Sequence, residues 1–186
     1  MTSRSRTALV LVDVINSFFD PGEPNCYPAA GQVLAPIGTL LAAARASGTL
    51  VVHAVERHRP DLHDFEWGKL PVHHIEGSDA CGFVAGFEPL PGEPVVPKRR
   101  YSAFFATDMA LMLHEQGIGR LVIVGVKTNC CIRATVQDAF ANGFEPIVVR
   151  EATNSNRPHL AEASLEDIER YFGKVVSLDD GIMALS

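Results

Sequence analysis

The chain lacks the marks of a membrane protein, a nucleic-acid binder or a disulfide scaffold. Its first apolar run, Ala8 to Val12, is broken by Asp13, far short of the roughly 20 residues a membrane span needs. The opening segment MTSRSRT carries Arg4 and Arg6 with no long apolar stretch behind it, so neither an export leader nor a membrane partner is expected. Basic residues form no stripe beyond Lys98-Arg99-Arg100 and the formal net charge is −6, which argues against a nucleic-acid partner. The cysteines, Cys26, Cys81, Cys130 and Cys131, make no CxxC pair. Adjacent cysteines rarely bridge because the ring is strained, so reduced thiols in a cytoplasmic setting are expected. No internal repeat or low-complexity tract appears, leaving one domain over residues 1–186.

What is present is an alternation of short apolar runs and amphipathic segments, with 47% apolar and 20% charged residues. Ala8–Asp13 and Thr49–Val55 read as strands buried on both faces. Arg120–Val126, Glu145–Val149 and Lys174–Ser177 read as further strands, with Pro146 weakening the start of one. Helices are expected over Val33–Ala46, Asp108–Gln116, Cys130–Asn142 and Leu160–Phe172, the first three stopped at Gly48, Gly117 and Gly143. Glu56 to Val96 is polar, rich in Gly and Pro, and long enough to form loops around a site. This pattern predicts a three-layer α/β/α fold with a mostly parallel central sheet.

In such sheets ligands gather beyond the carboxyl ends of the strands. Asp13 ends the first strand, Lys98 follows the extended piece Glu93–Pro97, and Cys131 opens a helix just past Val126. A thiol attacks as thiolate. Unpaired N–H groups at a helix start and a nearby Lys ammonium would both lower its pKa. The same N–H groups could hold an oxyanion, and Asp13 could take the thiol proton and pass it to a leaving amine. Taken singly, each residue also fits a plainer role: a buried core thiol, a structural Asp–Lys pair, a solvated basic face.

Three segments stand out together: Gly125-Val126-Lys127-Thr128-Asn129-Cys130-Cys131-Ile132, followed by Thr135 and Asp138-Ala139; Leu11-Val12-Asp13-Val14-Ile15-Asn16 with Phe18; and Lys98-Arg99-Arg100-Tyr101-Ser102-Ala103-Phe104. In this order they resemble the nucleophile motif GVxTNxCV, the first motif and the KxRYSAF motif of the isochorismatase-like cysteine hydrolases. The resemblance implies Cys131 as nucleophile, Asp13 as acid/base and Lys98 as the stabilising cation. It also implies a cis peptide between Val126 and Lys127 and an oxyanion hole from the backbone N–H groups of Lys127 and Cys131. The implied reaction is hydrolysis of a small amide, ureido or carbamoyl compound through a thioester, in an enzyme that is commonly a dimer or tetramer. Ile15, Ser17 and Lys127 depart from the family's usual residues, the last putting a cation where Thr, Ala or Val is common.

Glu56-Arg57-His58 and Leu70-Pro71-Val72-His73 resemble metal-binding pieces of the family's nicotinamidases, so a zinc or other divalent site could be written as Glu56, His58, His63 and His73. However, Glu replaces the usual Asp, and the gap from His58 to His63 is one residue short. The favoured expectation is therefore no metal or other cofactor, with His58 and Arg59 at the substrate mouth or in an internal polar network. Phe18, Trp67, Tyr101 and Phe104 are candidate pocket walls, though each could be core. Alternatives to the amidase are an isochorismatase-type vinyl ether hydrolase, which needs no thiol, a nicotinamidase with a metal site, a silent binding subunit, and a redox protein using Cys130 and Cys131.

Overall fold

The structure, a computed structural model, describes residues 6–186. Residues 1–5, part of the segment read as lacking a leader, lie outside the described residues. Six strands form one sheet: β1 (Arg6–Val12), β2 (Leu50–Glu56), β3 (Val95–Lys98), β4 (Ile118–Val126), β5 (Glu145–Asn154) and β6 (Lys174–Val176). Their order is β3-β2-β1-β4-β5-β6, and every pair is parallel. Six α-helical segments accompany them: α1 (Asn16–Phe19), α2 (Leu34–Ser47), α3 (Met109–Glu115), α4 (Arg133–Ala141), α5 (Pro158–Asp167) and α6 (Leu178–Ala184).

The apolar runs follow from the layering. Leu9 and Leu11 of β1 face α2 and α6, packing with Ile37, Leu40 and Ile182. Ala8, Val10 and Val12 face the other way, toward Met109 and Leu113 of α3, Val136 of α4 and Leu165 of α5. A strand covered on both faces needs apolar residues at every position, not at alternate ones. The helix over 33–46 closes as its sequence suggests, with Gly48 in the left-handed region at φ 72.

Several elements differ from expectation, α1 among them. The segment before α4 is a wide turn, Thr128–Ile132, with i to i+5 character. β5 continues past Val149 to Asn154, through an irregularity where Arg150 and Glu151 turn to solvent and interrupt the apolar run. α6 lies beyond the last element expected from the sequence, and Gly181 sits inside it. The glycine in fact permits close approach to the sheet, since a Cβ there would lie 2.5 Å from Val149 Cγ2. No helix among the described residues is long and apolar enough to cross a membrane.

The strand order reverses between β1 and β4. The chain first builds outward through β2 and β3, then returns to the other side of β1. This switch point leaves a crevice beyond the carboxyl ends of β1 and β4, the usual ligand position in an open parallel sheet.

Candidate active site

Adjacent parallel strands deliver charged residues to one edge. Asp13 follows β1, Glu56 ends β2 and Lys98 ends β3, with Glu56 and Lys98 paired in register. Asp13 adopts φ 55, an uncommon conformation for a residue with a Cβ. It is held there by its N–H donating to Ala54 O at 2.8 Å and by Oδ1 accepting the Glu56 N–H at 2.8 Å. Lys98 Nζ lies 2.8 Å from Asp13 Oδ2, 3.5 Å from Glu56 Oε2 and 3.6 Å from Cys131 Sγ. Asp13 and Lys98 are fully buried, and Cys131 and Glu56 nearly so.

Burial opposes charge on Lys98, but Asp13, Cys131 and Glu56 outweigh it and hold its pKa above the ordinary lysine value. Burial pushes Asp13 up, opposed by Lys98. Glu56 is likewise penalised by burial, but Lys98 and three histidines more than compensate and draw it well below the usual carboxylate range. Cys131 is pushed well up by hydrogen bonding with Cys130, by burial and by Asp13, against the pull of Lys98. These effects together favour the neutral thiol beside the Asp13–Lys98 pair. The helix start and the ammonium are both present, but the hydrogen bond with Cys130 and the burial of the sulfur prevail over them. The Lys127 carbonyl receives the N–H groups of Cys130 (3.0 Å) and Ile132 (3.3 Å), and the Val126–Lys127 peptide is cis.

A second layer surrounds Glu56. Its Oε1 lies 3.2 Å from His58 Nε2, 3.1 Å from His73 Nε2 and 3.5 Å from His74 Nδ1. The far ring nitrogens are engaged: His58 Nδ1 with Asp64 Oδ2 (3.0 Å), His73 Nδ1 with Pro71 O (2.6 Å), His74 Nε2 with Ser17 Oγ (2.7 Å). Burial disfavours the charged form of His58, yet Glu56 and Asp64 outweigh it and raise its pKa; Glu56 also raises that of His73.

Phe18, Tyr101, Lys127, Asn129 and Cys130 line a cavity of about 390 Å³ that reaches Cys131, Glu56, His73 and His74. A larger depression, about 760 Å³, opens at the amino ends of β4, β5 and β6, between Phe140, Tyr171 and Phe172 and away from these groups.

Several expected residues sit elsewhere. His63 is exposed, edge-on to Trp67 at 6.1 Å. Its neighbour Asp64 turns inward instead, because it caps the turn Phe65–Gly68 through the Glu66 N–H at 3.0 Å. His74 completes the cluster with Glu56, His58 and His73. Arg59 is exposed and lines a separate depression with Arg57 and Arg99, since successive side chains of an extended segment face opposite ways and His58 takes the inner side. His58 itself is in the buried polar network rather than at the mouth. Trp67 packs on the His58 ring (5.8 Å) behind the cavity wall, and Phe104 is core, packed against Phe144 at 5.6 Å. Sequence reasoning noted His74 in the histidine-rich loop but left it out of the possible ligand set, and it missed Glu66, Asn25 and Tyr27, which carry no local signal.

A cysteine, an aspartate and a lysine thus meet at the switch point of an open parallel sheet, the place where such folds bind small molecules. The Isochorismatase domain family matches residues 7–180, and the chain belongs to it. Among its relatives, maleamate amidohydrolase from Pseudomonas putida is 38% identical, over 97% of this chain and 87% of that protein. N-carbamoylsarcosine amidase from Arthrobacter sp is 30% identical, over 97% of this chain and 72% of that one. The solved pyrazinamidase of Pyrococcus horikoshii in complex with zinc superposes with a TM-score of 0.85 at 28% identity, covering 92% of this chain and 99% of that one. The chain is accordingly a hydrolase of carbon–nitrogen bonds other than peptide bonds, from a family acting on small amides.

Proposed function

We propose that this protein hydrolyses a small amide, ureido or carbamoyl compound through a Cys131 thioester, with Asp13 as acid/base and Lys98 as the cation that steadies both. The observation that carries this reading is Lys98 Nζ at 2.8 Å from Asp13 Oδ2 and 3.6 Å from Cys131 Sγ. As Sγ bonds to the substrate carbonyl carbon, Asp13 takes the thiol proton. The oxyanion so formed is received by the backbone N–H groups of Lys127 and Cys131. Collapse breaks the C–N bond, and Asp13 hands its proton to the leaving nitrogen, releasing ammonia or an amine. Water then attacks the thioester, Asp13 accepts its proton, and the acid departs as the thiol is restored. A vinyl ether hydrolase would need no sulfur at this point, and a silent binding subunit would need neither proton acceptor nor cation, which favours the amide reading over both.

Maleamate and N-carbamoylsarcosine, named by the relatives, are the first compounds to assay. Cys131→Ala is expected to remove ammonia release by at least about a thousandfold, while Cys130→Ala keeps it within about tenfold. Equal loss in both variants would instead favour the redox reading.

The cluster of Glu56, His58, His73 and His74 fits a divalent ion. His74 Nδ1 is buried without a hydrogen-bond partner among the described residues, and the outer nitrogens of all three rings are engaged. Glu56 Oε1, His58 Nε2, His73 Nε2 and His74 Nδ1 would hold it, and such an ion, when bound, supplies a Lewis acid beside the nucleophile. Elemental analysis after dialysis against zinc is expected to find about one equivalent in the wild type and far less in His73→Ala/His74→Ala. Equal zinc in both would remove the cluster as a metal site.

We also assign the activity to a single domain over residues 1–186, acting in the cytoplasm as a homo-oligomer. All four cysteines are free, in keeping with a reducing compartment.

A further inference from the structure

Lys127 is the first residue after β4, at the switch point, and its side chain is half-buried in the wall of the cavity that reaches Cys131. Its Nζ lies 5.4 Å from the centre of the Phe18 ring and 5.5 Å from that of Tyr27. Those rings are themselves held. Tyr27 donates its hydroxyl to Asn154 Oδ1 at 2.6 Å, and Phe18 packs against His74 at 5.2 Å. The ammonium is thus positioned by two aromatic faces. Among the described residues it has no carboxylate partner and no hydrogen-bond acceptor, although Arg45, Lys98, Arg100, Arg133 and Arg150 all have acidic partners. Of the cavity's own carboxylates, Glu56 pairs with Lys98 at 3.5 Å, while Glu66 lies 3.9 Å from an Arg100 nitrogen that is bonded to Asp64, with both its oxygens buried and without a hydrogen-bond partner among the described residues. Beside Lys127, Asn129 accepts the Ser155 hydroxyl on Oδ1 at 2.5 Å, which leaves its amide N–H groups for the cavity.

A half-buried cation without an acid, next to a free amide donor and in the same cavity as the nucleophile, is complementary to an anion. We propose that Lys127 is the specificity residue of this pocket and selects small amides that also carry a carboxylate. The ammonium pairs with that carboxylate while the amide carbon faces Cys131 Sγ. The inference rests on the amidohydrolase reading above for its chemistry, but not for its binding component.

The test uses the full chain with three amide acids of increasing length, malonamate, succinamate and glutaramate, each beside a neutral amide with methyl in place of carboxylate. Wild type is expected to favour at least one acid over its neutral counterpart by tenfold or more in kcat/KM. Lys127→Met is expected to lower that ratio by about ten- to a hundredfold, chiefly through KM, as loss of one charge-assisted contact implies. Lys127→Arg should recover part of it. A neutral preference in wild type, or a ratio that survives Lys127→Met, overturns the proposal. Binding of the same compounds to Cys131→Ala, with and without Lys127→Met, is measured by calorimetry. If wild type releases no ammonia from any compound, the catalytic reading fails on its own. Acids that still bind Cys131→Ala tenfold more tightly than the neutral amides, and lose this with Lys127→Met, then uphold the anion site. Absence of that difference overturns it.

Discussion

At the scale of single residues, Lys98 carries two burdens. It is the one cation against two buried carboxylates, Asp13 and Glu56, at 2.8 and 3.5 Å. Taking it away strands both charges in a dry site, and an uncompensated buried charge typically costs about 3–5 kcal/mol. Lys98→Met is therefore expected to lower stability by that order as well as to abolish turnover, measured by urea unfolding followed by circular dichroism. A melt within about 1 kcal/mol of wild type would mean that the carboxylates are not both ionised. The roles suggested for Asp13 and Cys131 could be read from motif residues at strand and helix ends. The raised pKa of Cys131 could not, because its hydrogen bond with Cys130 and its burial arise only in the folded chain.

At the scale of elements, the junction of β1 and β4 is the tightest constraint. Gly125 has φ 119, and a Cβ there would lie 2.0 Å from the Val12 carbonyl oxygen, at the register shift between β4 and β5. Gly125→Ala must push apart the strands that bring Asp13 and the Cys131 turn together. It is expected to cost more than about 3 kcal/mol or to yield insoluble protein, since both strain and overpacking apply. Soluble protein with wild-type unfolding would show that the strand ends can give way. Strands and helices with unbroken apolar patterns were legible in the sequence, as with β1, β2 and α2. α6 and the far half of β5 were not, because Gly181 and the exposed pair Arg150-Glu151 interrupt the pattern locally while packing sustains the element.

At the scale of the molecule, acid stability is set partly far from the site. Glu93, ahead of β3, accepts from Arg45 Nε of α2 at 2.8 Å and from the Leu90 N–H at 2.9 Å, and meets His53 Nε2 of β2 at 3.0 Å. Burial favours its neutral form, but Arg45, the Leu90 N–H and His53 prevail and lower its pKa to about 2. A depressed carboxylate adds stability above its unfolded pKa of about 4.5, and that stability is lost as pH falls toward 2. Glu93→Gln is expected to cost on the order of 2–3 kcal/mol at neutral pH and to flatten the loss of stability between about pH 4.5 and 2. Denaturant melts across that range would show it, and an unchanged acid limb would remove Glu93 from the account.

The order of residues alone determined the alternation of strand and helix, and with it the arrival of Asp13, Lys98 and Cys131 at one sheet edge. Repetition in an apolar pattern, and the geometry of parallel crossovers, carry that information. Only the tertiary structure decided which loop side chains turn inward. It chose His74 over His63, sent Arg59 outside, buried Phe104, and laid Lys127 on two rings 100 or more residues distant in the chain. Those choices depend on contacts between segments far apart in sequence, and no local period records them.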